Sequence, residues 1–322
     1  GCTPAYPSWD ELQFFFNRGI QRPDLRNDAA LEQVHWATNR AQDWPHLRVF
    51  AYDHRAQLEQ LEGATPAKIG RFKELCLKAT EQVAAGGAGY GLLCDGRLGR
   101  DALYKAAGTG LWVGRPVELP GSRPLRLEPD IGTDFGGLSE WPRDQVVKVL
   151  CFCHPDDSAA MWDDQEATIQ RLFTACRRNR LEFLLEVIPS KVGPIADDTT
   201  ARIIQRIYDL GVFPDWWKLE PMLTDAAWDI TCQTIMANDP NTRGIVILGL
   251  GEAEEKLAQS FKIAARFPMV KGFAVGRTIF GETAVAWMQG GLSDEAAVAT
   301  MAEKFARLCR IWDAARAGKE TR

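Results

Sequence analysis

A strand–helix–strand unit in the middle of the chain decides the fold class. It consists of two short apolar runs, VVKVLCFC (146–153) and LEFLLEVI (181–188), with DDQEATIQRLFTACRRNR (163–180) between them. The two runs have the length and composition of buried strands, whereas the segment between them has helical periodicity. Two strands joined by a helix predict a parallel pair with a right-handed crossover.

The same alternation extends over most of the chain. Further apolar runs are LRVFAYD, GYGLLCDG, LWVGRPVEL, DWWKLEP, GIVILGLG and VKGFAVGR. Eight such runs alternating with helices predict an α/β protein with a (β/α)8 TIM barrel rather than an open doubly wound sheet. No GxGxxG sequence opens a first helix, so the dinucleotide-binding fingerprint is missing. We therefore predict a linker and helical extension over residues 1–46 and the barrel domain over residues 47–322.

Composition excludes several function classes. The net charge of −5 and the pI near 5.6 argue against a nucleic-acid or membrane-surface binder, which needs a concentrated basic face. No apolar run approaches the roughly 20 residues of a membrane span. The eight cysteines are mostly spread over separate predicted elements, which is typical of a reduced, cytoplasmic protein without disulfides. Only four histidines are present and none form a helical HxxxH pair, so no zinc site is expected.

Charged residues occur near the ends of the predicted strands, where TIM barrels carry their active sites. A lone strand lysine is more commonly an ion-pair partner or a surface residue. Two lysines converging with carboxylates from separate strands instead favour a functional cluster, because buried charges must pair and shift one another's pKa. The strand-end residues are Asp53, Asp95, Glu118, Lys148, Glu186, Lys218, Glu220 and Arg277.

The ends of the last two predicted strands suit a phosphate group. Gly276 and Arg277 follow strand eight and precede a helix, so backbone N–H groups and a guanidinium meet there. Gly249 and Gly251 supply a flexible turn after strand seven. Phosphate sites after strands seven and eight recur in TIM barrels.

Seven segments, taken in order, resemble the class I tagatose-1,6-bisphosphate aldolases. They are FAYDHRAQLEQL, LLCDGRLG, VVKVLCF, LEFLLEV, WWKLEP, GIVILGLG and GFAVGRTIF. The closer resemblance is to the C-terminal aldolase domains of bifunctional 5-dehydro-2-deoxygluconokinase/5-dehydro-2-deoxyphosphogluconate aldolases of myo-inositol catabolism. The opening GCTPAYPSWDELQFFF resembles the junction after the ribokinase-like kinase domain of those proteins, which implies a native protein fused to a kinase.

The resemblance assigns roles to individual residues. Lys218 in WWKLEP corresponds to the Schiff-base lysine, and Lys148 in VVKVL to the second lysine of that family. Glu186 corresponds to the carboxylate that shuttles protons, and Asp53 to the aspartate near the imine. Gly276 and Arg277 correspond to the phosphate-binding pair.

One departure from the family pattern bears on the substrate. The sugar-bisphosphate enzymes tend to have LSAG after strand seven, where this chain reads LGLG. Gly249 therefore lacks the serine hydroxyl, which leaves phosphate contacts to backbone N–H groups and disfavours a bisphosphate.

The implied reaction is cleavage of 5-dehydro-2-deoxy-6-phosphogluconate to dihydroxyacetone phosphate and malonate semialdehyde, without a cofactor. An imine is a better electron sink than a ketone, and the attacking amine must be neutral. Trp216 and Trp217 are candidates for a dry wall that disfavours the ammonium form. Glu186 would take the hydroxyl proton and return it to the enamine.

A Gly/Pro-rich segment, GSRPLRLEPDIGTDFGGLSEWP (121–142), replaces the helix expected between strands three and four. Long loops of this kind are usually functional or disordered. Arg115, before it, and Arg123 and Arg126, within it, are candidates to bind the substrate carboxylate, and loop-surface arginines are the alternative. Asp95 and Glu220 complete the predicted substrate-binding set.

Other functions stay open at this point. Tagatose 1,6-bisphosphate is an alternative substrate for the same chemistry. A metal-dependent aldolase or isomerase would need His, Asp and Glu ligands, and a non-catalytic sugar-phosphate sensor would need Arg277 but not both lysines. The predicted partner is a small sugar phosphate, and a homo-oligomer is possible.

Overall fold

The computed structural model describes residues 29–40 and 42–320. Its eight strands are parallel, pair in sequence order and close into a barrel, because β1 pairs with both β2 and β8. This closed barrel confirms the predicted (β/α)8 fold. The strands are β1 Leu47–Ala51, β2 Tyr90–Leu93, β3 Trp112–Pro116, β4 Gln145–Cys151, β5 Glu182–Val187, β6 Trp216–Leu219, β7 Gly244–Leu248 and β8 Val270–Val275.

Helices follow most of the strands and surround the barrel. They are α1 Ala29–Thr38, α2 Ala56–Glu59, α3 Pro66–Ala84, α4 Arg100–Ala106, α5 Ala159–Asn179, α6 Thr199–Asp209, α7 Asp225–Asn238, α8 Glu254–Ala264, α9 Arg277–Met288 and α10 Asp294–Glu320. The connection between β3 and β4 contains two short 3-10 turns, Pro129–Ile131 and Gly136–Glu140, in place of an α-helix.

Local chemistry explains where the long helices begin. Thr65 caps α3 by accepting a hydrogen bond from the Lys68 N–H, and Pro66 occupies the first helical position. The Ser158 hydroxyl caps α5 in the same way by accepting from the Met161 N–H. Each cap satisfies an N–H group that has no partner within its helix.

The predicted extension is only partly described, because residues 1–28 and 41 lie outside the described residues. Within the described part, α1 precedes β1 and is followed by a segment without regular structure. The predicted domain boundary after residue 46 stays a prediction.

An apolar layer fills the interior of the barrel. The rings of Trp112 and Trp216 meet edge to face at its centre, with 6.0 Å between their centroids. Gly114 provides the space, since a Cβ there would come within 2.8 Å of Trp112 Cη2. The layer forms a floor beneath the carboxyl ends of the strands. It consists of Leu47, Val49, Ala51, Leu93, Trp112, Val146, Leu184, Trp216, Val246 and Ala274.

Candidate active site

Four charged side chains lie directly above this apolar floor. Lys148, Glu186 and Lys218 each follow an inward-facing floor residue by two positions on β4, β5 and β6, and Asp53 follows Ala51 of β1 in the same way. Side chains alternate between the two faces of a strand, so all four point into the barrel. None is more than 6% exposed. The structure therefore brings together the four residues predicted to be catalytic.

The carboxylate of Glu186 joins the two lysines. Its Oε1 lies 2.9 Å from Lys218 Nζ, and its Oε2 lies 2.8 Å from Lys148 Nζ. Lys148 Nζ also lies 3.3 Å from Asp53 Oδ2 and 3.1 Å from Glu118 Oε1. Among the described residues, Lys148 thus has three carboxylate partners and Lys218 has one.

This arrangement fixes the charge of Lys148. Burial disfavours its ammonium form, but the negative charges of Glu118, Glu186 and Asp53 outweigh that effect and raise the pKa of Lys148. Burial likewise opposes ionisation of Glu186 and Asp53, yet the nearby lysines lower the pKa of both carboxyl groups. At neutral pH the centre of the site is a cation between ionised carboxylates.

Glu118 and Arg55 complete this cluster. Glu118 Oε1 also lies 2.7 Å from Arg55 Nη2, and its Oε2 accepts a hydrogen bond from the Leu150 N–H at 3.0 Å. The sequence placed Glu118 among the strand-end charges without a role, although it shares the inward parity of Trp112 and Gly114 on β3. Arg55 was not predicted, because it follows the end of β1 in a segment without periodicity.

His54 is a further residue that the sequence analysis missed. Its Nδ1 atom is buried without a hydrogen-bond partner and lies 3.8 Å from Asp53 Oδ1. The imidazole packs edge to face on Phe280, with 5.1 Å between the ring centroids. Burial lowers the pKa of His54 to about 4, and the charges of Lys218 and Arg277 act in the same direction against that of Asp53. The ring is therefore neutral at pH 7.

The cluster forms the base of a cavity of about 330 Å³ at the carboxyl ends of the strands. This volume suits a small metabolite. Besides the cluster residues, its lining includes His54, Leu150, Phe152, Ile188, Lys191, Leu248, Gly249, Leu250, Gly251, Gly276 and Arg277.

One side of the cavity has the features of an anion site. Gly276 is the N-cap residue of α9 and has no side chain to occupy the helix N-terminus. The exposed Arg277 follows it, and its Nη2 donates to the Leu250 carbonyl oxygen at 2.8 Å. A Cβ on Gly276 would collide with the Ala51 carbonyl oxygen and lie 2.8 Å from His54 Cε1, so only glycine fits. Gly251, with a φ of 76°, faces the Arg277 guanidinium. Helix N–H groups and a guanidinium here favour a phosphate.

Both predicted substrate-binding carboxylates, Asp95 and Glu220, lie outside the cavity lining. Asp95 forms a buried ion pair with Lys73, whose Nζ also donates to the carbonyl oxygens of Tyr52 and His54 at 2.9 Å each. Glu220 accepts hydrogen bonds from the backbone N–H and the hydroxyl of Ser190. Both residues hold backbone segments at the rim of the cavity, so the structure assigns them a positioning role.

The three arginines proposed for the substrate carboxylate also lie outside the lining. Arg115 is on the outward face of β3, with its guanidinium 3.8 Å from the centre of the Trp141 ring. Arg123 pairs with Asp157, and Arg126 with both carboxylate oxygens of Asp164 at 2.7 and 2.9 Å. Strand alternation explains the position of Arg115. Side chains alternate between the two faces of a strand, and Arg115 directly follows Gly114, which has inward parity, so the arginine points outward.

The two tryptophans of WWKLEP do not form the dry wall expected beside Lys218. Trp216 belongs to the apolar floor, and its Nε1 donates to Glu182 Oε2 at 3.1 Å. Trp217 faces outward and donates to the Tyr208 hydroxyl of α6 at 3.1 Å. Neither lines the cavity; Trp216 lies in the apolar floor, two positions before the buried Lys218 on the same face of β6.

A family model described as an uncharacterized protein conserved in bacteria (DUF2090) matches residues 11–316. The chain belongs to the DUF2090 family. No curated protein matches it. The description assigns the family no activity, so the function has to be inferred from the site.

Solved structures resemble this DUF2090 chain over most of its length. Cgl0159 from Corynebacterium glutamicum is 19% identical, with 94% of this chain and 99% of that chain covered and a TM-score of 0.50. A fructose-bisphosphate aldolase from Slackia heliotrinireducens is 16% identical, with 89% and 95% covered and a TM-score of 0.52. At these identities the likeness shows the fold alone.

Over residues 29–40 and 42–320, no group of three or more His, Cys, Asp or Glu side chains is arranged to hold a metal ion. Over the same residues, no helix has both the length and the apolar character needed to cross a membrane.

Proposed function

We propose that this chain is a class I aldolase that cleaves a ketose phosphate through an imine on Lys218. The observation that carries the proposal is the pair of buried lysines joined by Glu186 at the base of a cavity with an anion site on its wall. A binding protein for sugar phosphates would need the anion site but not two lysines placed on an apolar floor.

The contacts distinguish the two lysines. Lys148 lies among three carboxylates and is held as an ammonium, so it is a poor nucleophile. Lys218 contacts one carboxylate among the described residues, and that carboxylate is shared with Lys148. Lys218 is therefore the amine we assign to imine formation.

The reaction follows from these positions. Neutral Lys218 Nζ adds to the substrate ketone, and loss of water gives a protonated imine. Glu186 takes the proton of the hydroxyl on the β-carbon, the bond between the α- and β-carbons breaks, and the electron pair enters the imine to give an enamine. The aldehyde leaves, the enamine carbon is protonated from Glu186, and water hydrolyses the imine.

The anion site supports a substrate with its phosphate next to the ketone. In 5-dehydro-2-deoxy-6-phosphogluconate this phosphate would bind at Arg277 and the N-terminus of α9, and cleavage would give dihydroxyacetone phosphate and malonate semialdehyde. The resemblance to the bifunctional enzymes further supports, as part of the proposal, a role in myo-inositol catabolism, a cytoplasmic location and fusion to a kinase domain.

Borohydride trapping tests the proposal. We expect dihydroxyacetone phosphate to form a reducible imine that peptide mass spectrometry locates on Lys218, and the Lys218→Met variant to give no adduct. Parallel turnover assays with 5-dehydro-2-deoxy-6-phosphogluconate and tagatose 1,6-bisphosphate identify the substrate, and we expect the first to be cleaved faster. An adduct on Lys148, or no adduct on the wild-type protein, would contradict the mechanism.

A further inference from the structure

Two cations in the cavity lining make no ion pair among the described residues. Arg55, Lys148 and Lys218 each have a carboxylate oxygen within 2.9 Å of a side-chain nitrogen. Arg277 and Lys191 line the same cavity without such a partner. An unpaired cation beside a cavity indicates the position of an anionic ligand group.

The two unpaired cations lie on different sides of the nucleophile. Arg277 begins α9 after β8, and Lys191 ends the 3-10 turn Pro189–Lys191 after β5. Lys218 is on β6, between these two strands in the order of the barrel. A ligand that contacts both cations therefore extends across the mouth above Lys218.

The backbone of Lys191 is held at the rim. The carboxylate of Glu220 accepts from the N–H of Ser190 at 3.0 Å and from its hydroxyl. The turn is also closed by a hydrogen bond from the Val192 N–H to the Pro189 carbonyl oxygen at 2.9 Å. The turn thus fixes the origin of a flexible side chain whose ammonium makes no ion pair within residues 29–40 and 42–320, although it lies close enough to Glu220 to oppose the rise that burial causes in the pKa of that carboxyl group.

We propose that Lys191 binds a second anionic group of the substrate, a carboxylate at the end remote from the phosphate. This inference rests on the proposed function, and it replaces the loop arginines, each of which has other partners outside the cavity. The lining of the same cavity includes the apolar residues Ile188, three positions before Lys191, and Phe152. A single ammonium beside apolar walls suits a monoanionic carboxylate better than a phosphate dianion, which needs several donors.

Two matched ligands separate this role from catalysis. 6-Phosphogluconate and sorbitol 6-phosphate have the same chain and phosphate but end in a carboxylate and a hydroxymethyl group, and neither has a ketone. By isothermal titration calorimetry we expect the wild-type protein to bind 6-phosphogluconate roughly fivefold more tightly, as for one ion pair with an exposed ammonium. The Lys191→Met variant should lose this preference and bind sorbitol 6-phosphate unchanged.

Two further variants serve as controls. Lys191→Arg should retain most of the preference, and Lys262→Met should retain all of it, because Lys262 is exposed on α8 outside the cavity. Borohydride trapping with dihydroxyacetone phosphate, which has no carboxylate, should be the same in Lys191→Met and the wild-type protein.

The outcomes are distinguishable from failure of the aldolase proposal. If the wild-type protein binds the two ligands equally, or if Lys191→Met keeps the preference, the carboxylate role of Lys191 is wrong, whatever the trapping result. Fructose 1,6-bisphosphate binding more tightly than 6-phosphogluconate, with Lys191→Met abolishing the difference, would assign the lysine to a second phosphate and would also overturn the proposal. Absence of an imine would overturn only the aldolase mechanism.

Discussion

Both ends of the barrel bury charged residues, but the two clusters differ in how completely they are paired. At the amino end, the carboxylate of Asp215 accepts from Trp36 Nε1 at 2.6 Å, from Arg177 Nη1 at 2.7 Å and from the Phe183 N–H at 2.8 Å. The Arg40 guanidinium donates to the same carboxylate at 2.5 Å. At the carboxyl end, the two oxygens of the Glu186 carboxylate contact Lys218 and Lys148, at the base of an open cavity.

The difference in pairing indicates that the two clusters have different roles, one in stability and one in ligand binding. The Asp215 carboxylate has a donor on each oxygen, and α1 with the following Arg40 covers this end of the barrel. Burial opposes its ionisation, but Arg177 and Arg40 lower the pKa of Asp215. A saturated cluster of this kind stabilises the fold. At the mouth, the cavity-lining cations Arg277 and Lys191 make no ion pair within the described part of the chain, which leaves charge available for a ligand, as at the active-site ends of TIM barrels.

Removing the amine of Lys218 is the strongest test of this comparison. We expect Lys218→Met to lower turnover by at least about 10⁴-fold, because no imine can form. The unfolding free energy of the variant should stay unchanged or rise by up to about 1 kcal/mol, because Glu186 keeps its contact with Lys148. Steady-state kinetics and thermal unfolding give the two numbers.

A Lys218→Met protein that is strongly destabilised would show that the mouth also contributes to folding, and the comparison would fail. Residual turnover above about 1% of the wild-type rate would instead move the nucleophile elsewhere.

Removing the charge of Asp215 should have the opposite effect. Asp215→Asn leaves Arg40 and Arg177 without their buried counter-charge, so we expect it to lower the unfolding free energy by about 3–5 kcal/mol. Turnover per folded molecule should stay within about twofold, because the two ends are separated by the apolar floor. Denaturant unfolding and active-site titration measure both quantities.

The matched control is Asp313→Asn. Asp313 pairs with Arg48 at 2.5 Å, but its side chain is 46% exposed, so we expect a loss below about 1 kcal/mol. Equal losses in the two variants would mean that burial of Asp215 adds nothing to the strength of its ion pairs.

The fold and the centre of the site were predictable from sequence because both depend on strand alternation. The period of two places Lys148, Glu186 and Lys218 on the inward face, and equivalent positions on parallel strands meet at one mouth. The same period of two places Arg115 on the outward face of β3 and Trp217 on the opposite face from Lys218, as the structure has them.

The remaining parts of the site depend on connections whose paths have no periodicity. Arg55 and His54 follow the end of β1, and their side chains are positioned by contacts with Glu118 and Phe280 from distant segments. Asp95 lies at a strand end like the residues predicted to be catalytic, but it pairs with Lys73 of α3 outside the cavity lining. Long-range partners of this kind cannot be read from local sequence.

The smallest expected effect is on the pH dependence of stability. One residue at each end of the barrel should contribute to the slope of stability against pH, and the two contributions should have opposite signs. His54, at the mouth, has a pKa lowered from 6.5 to about 4 by burial. Asp239, at the amino end, accepts from Gln33 Nε2 at 3.1 Å, and its burial raises its pKa from 3.8 to about 6. Asp53, Glu186 and Asp215 have lowered pKa values, so they affect stability mainly below the ordinary carboxyl pKa values of 3.8 to 4.5.

Between pH 4 and 6.5 the unfolded chain binds more protons at His54, so this residue makes stability fall as the pH drops from about 6.5 to about 4. The folded chain binds more protons at Asp239, so that residue makes stability fall as the pH rises from about 3.8 to about 6. The two slopes oppose each other in the wild-type protein. We expect His54→Gln to lose stability on going from pH 4 to 6, and Asp239→Asn to gain it, by about 1–3 kcal/mol each. Denaturant unfolding across this range measures the slopes, and parallel slopes in the two variants would show that the ends of the barrel do not differ in this respect.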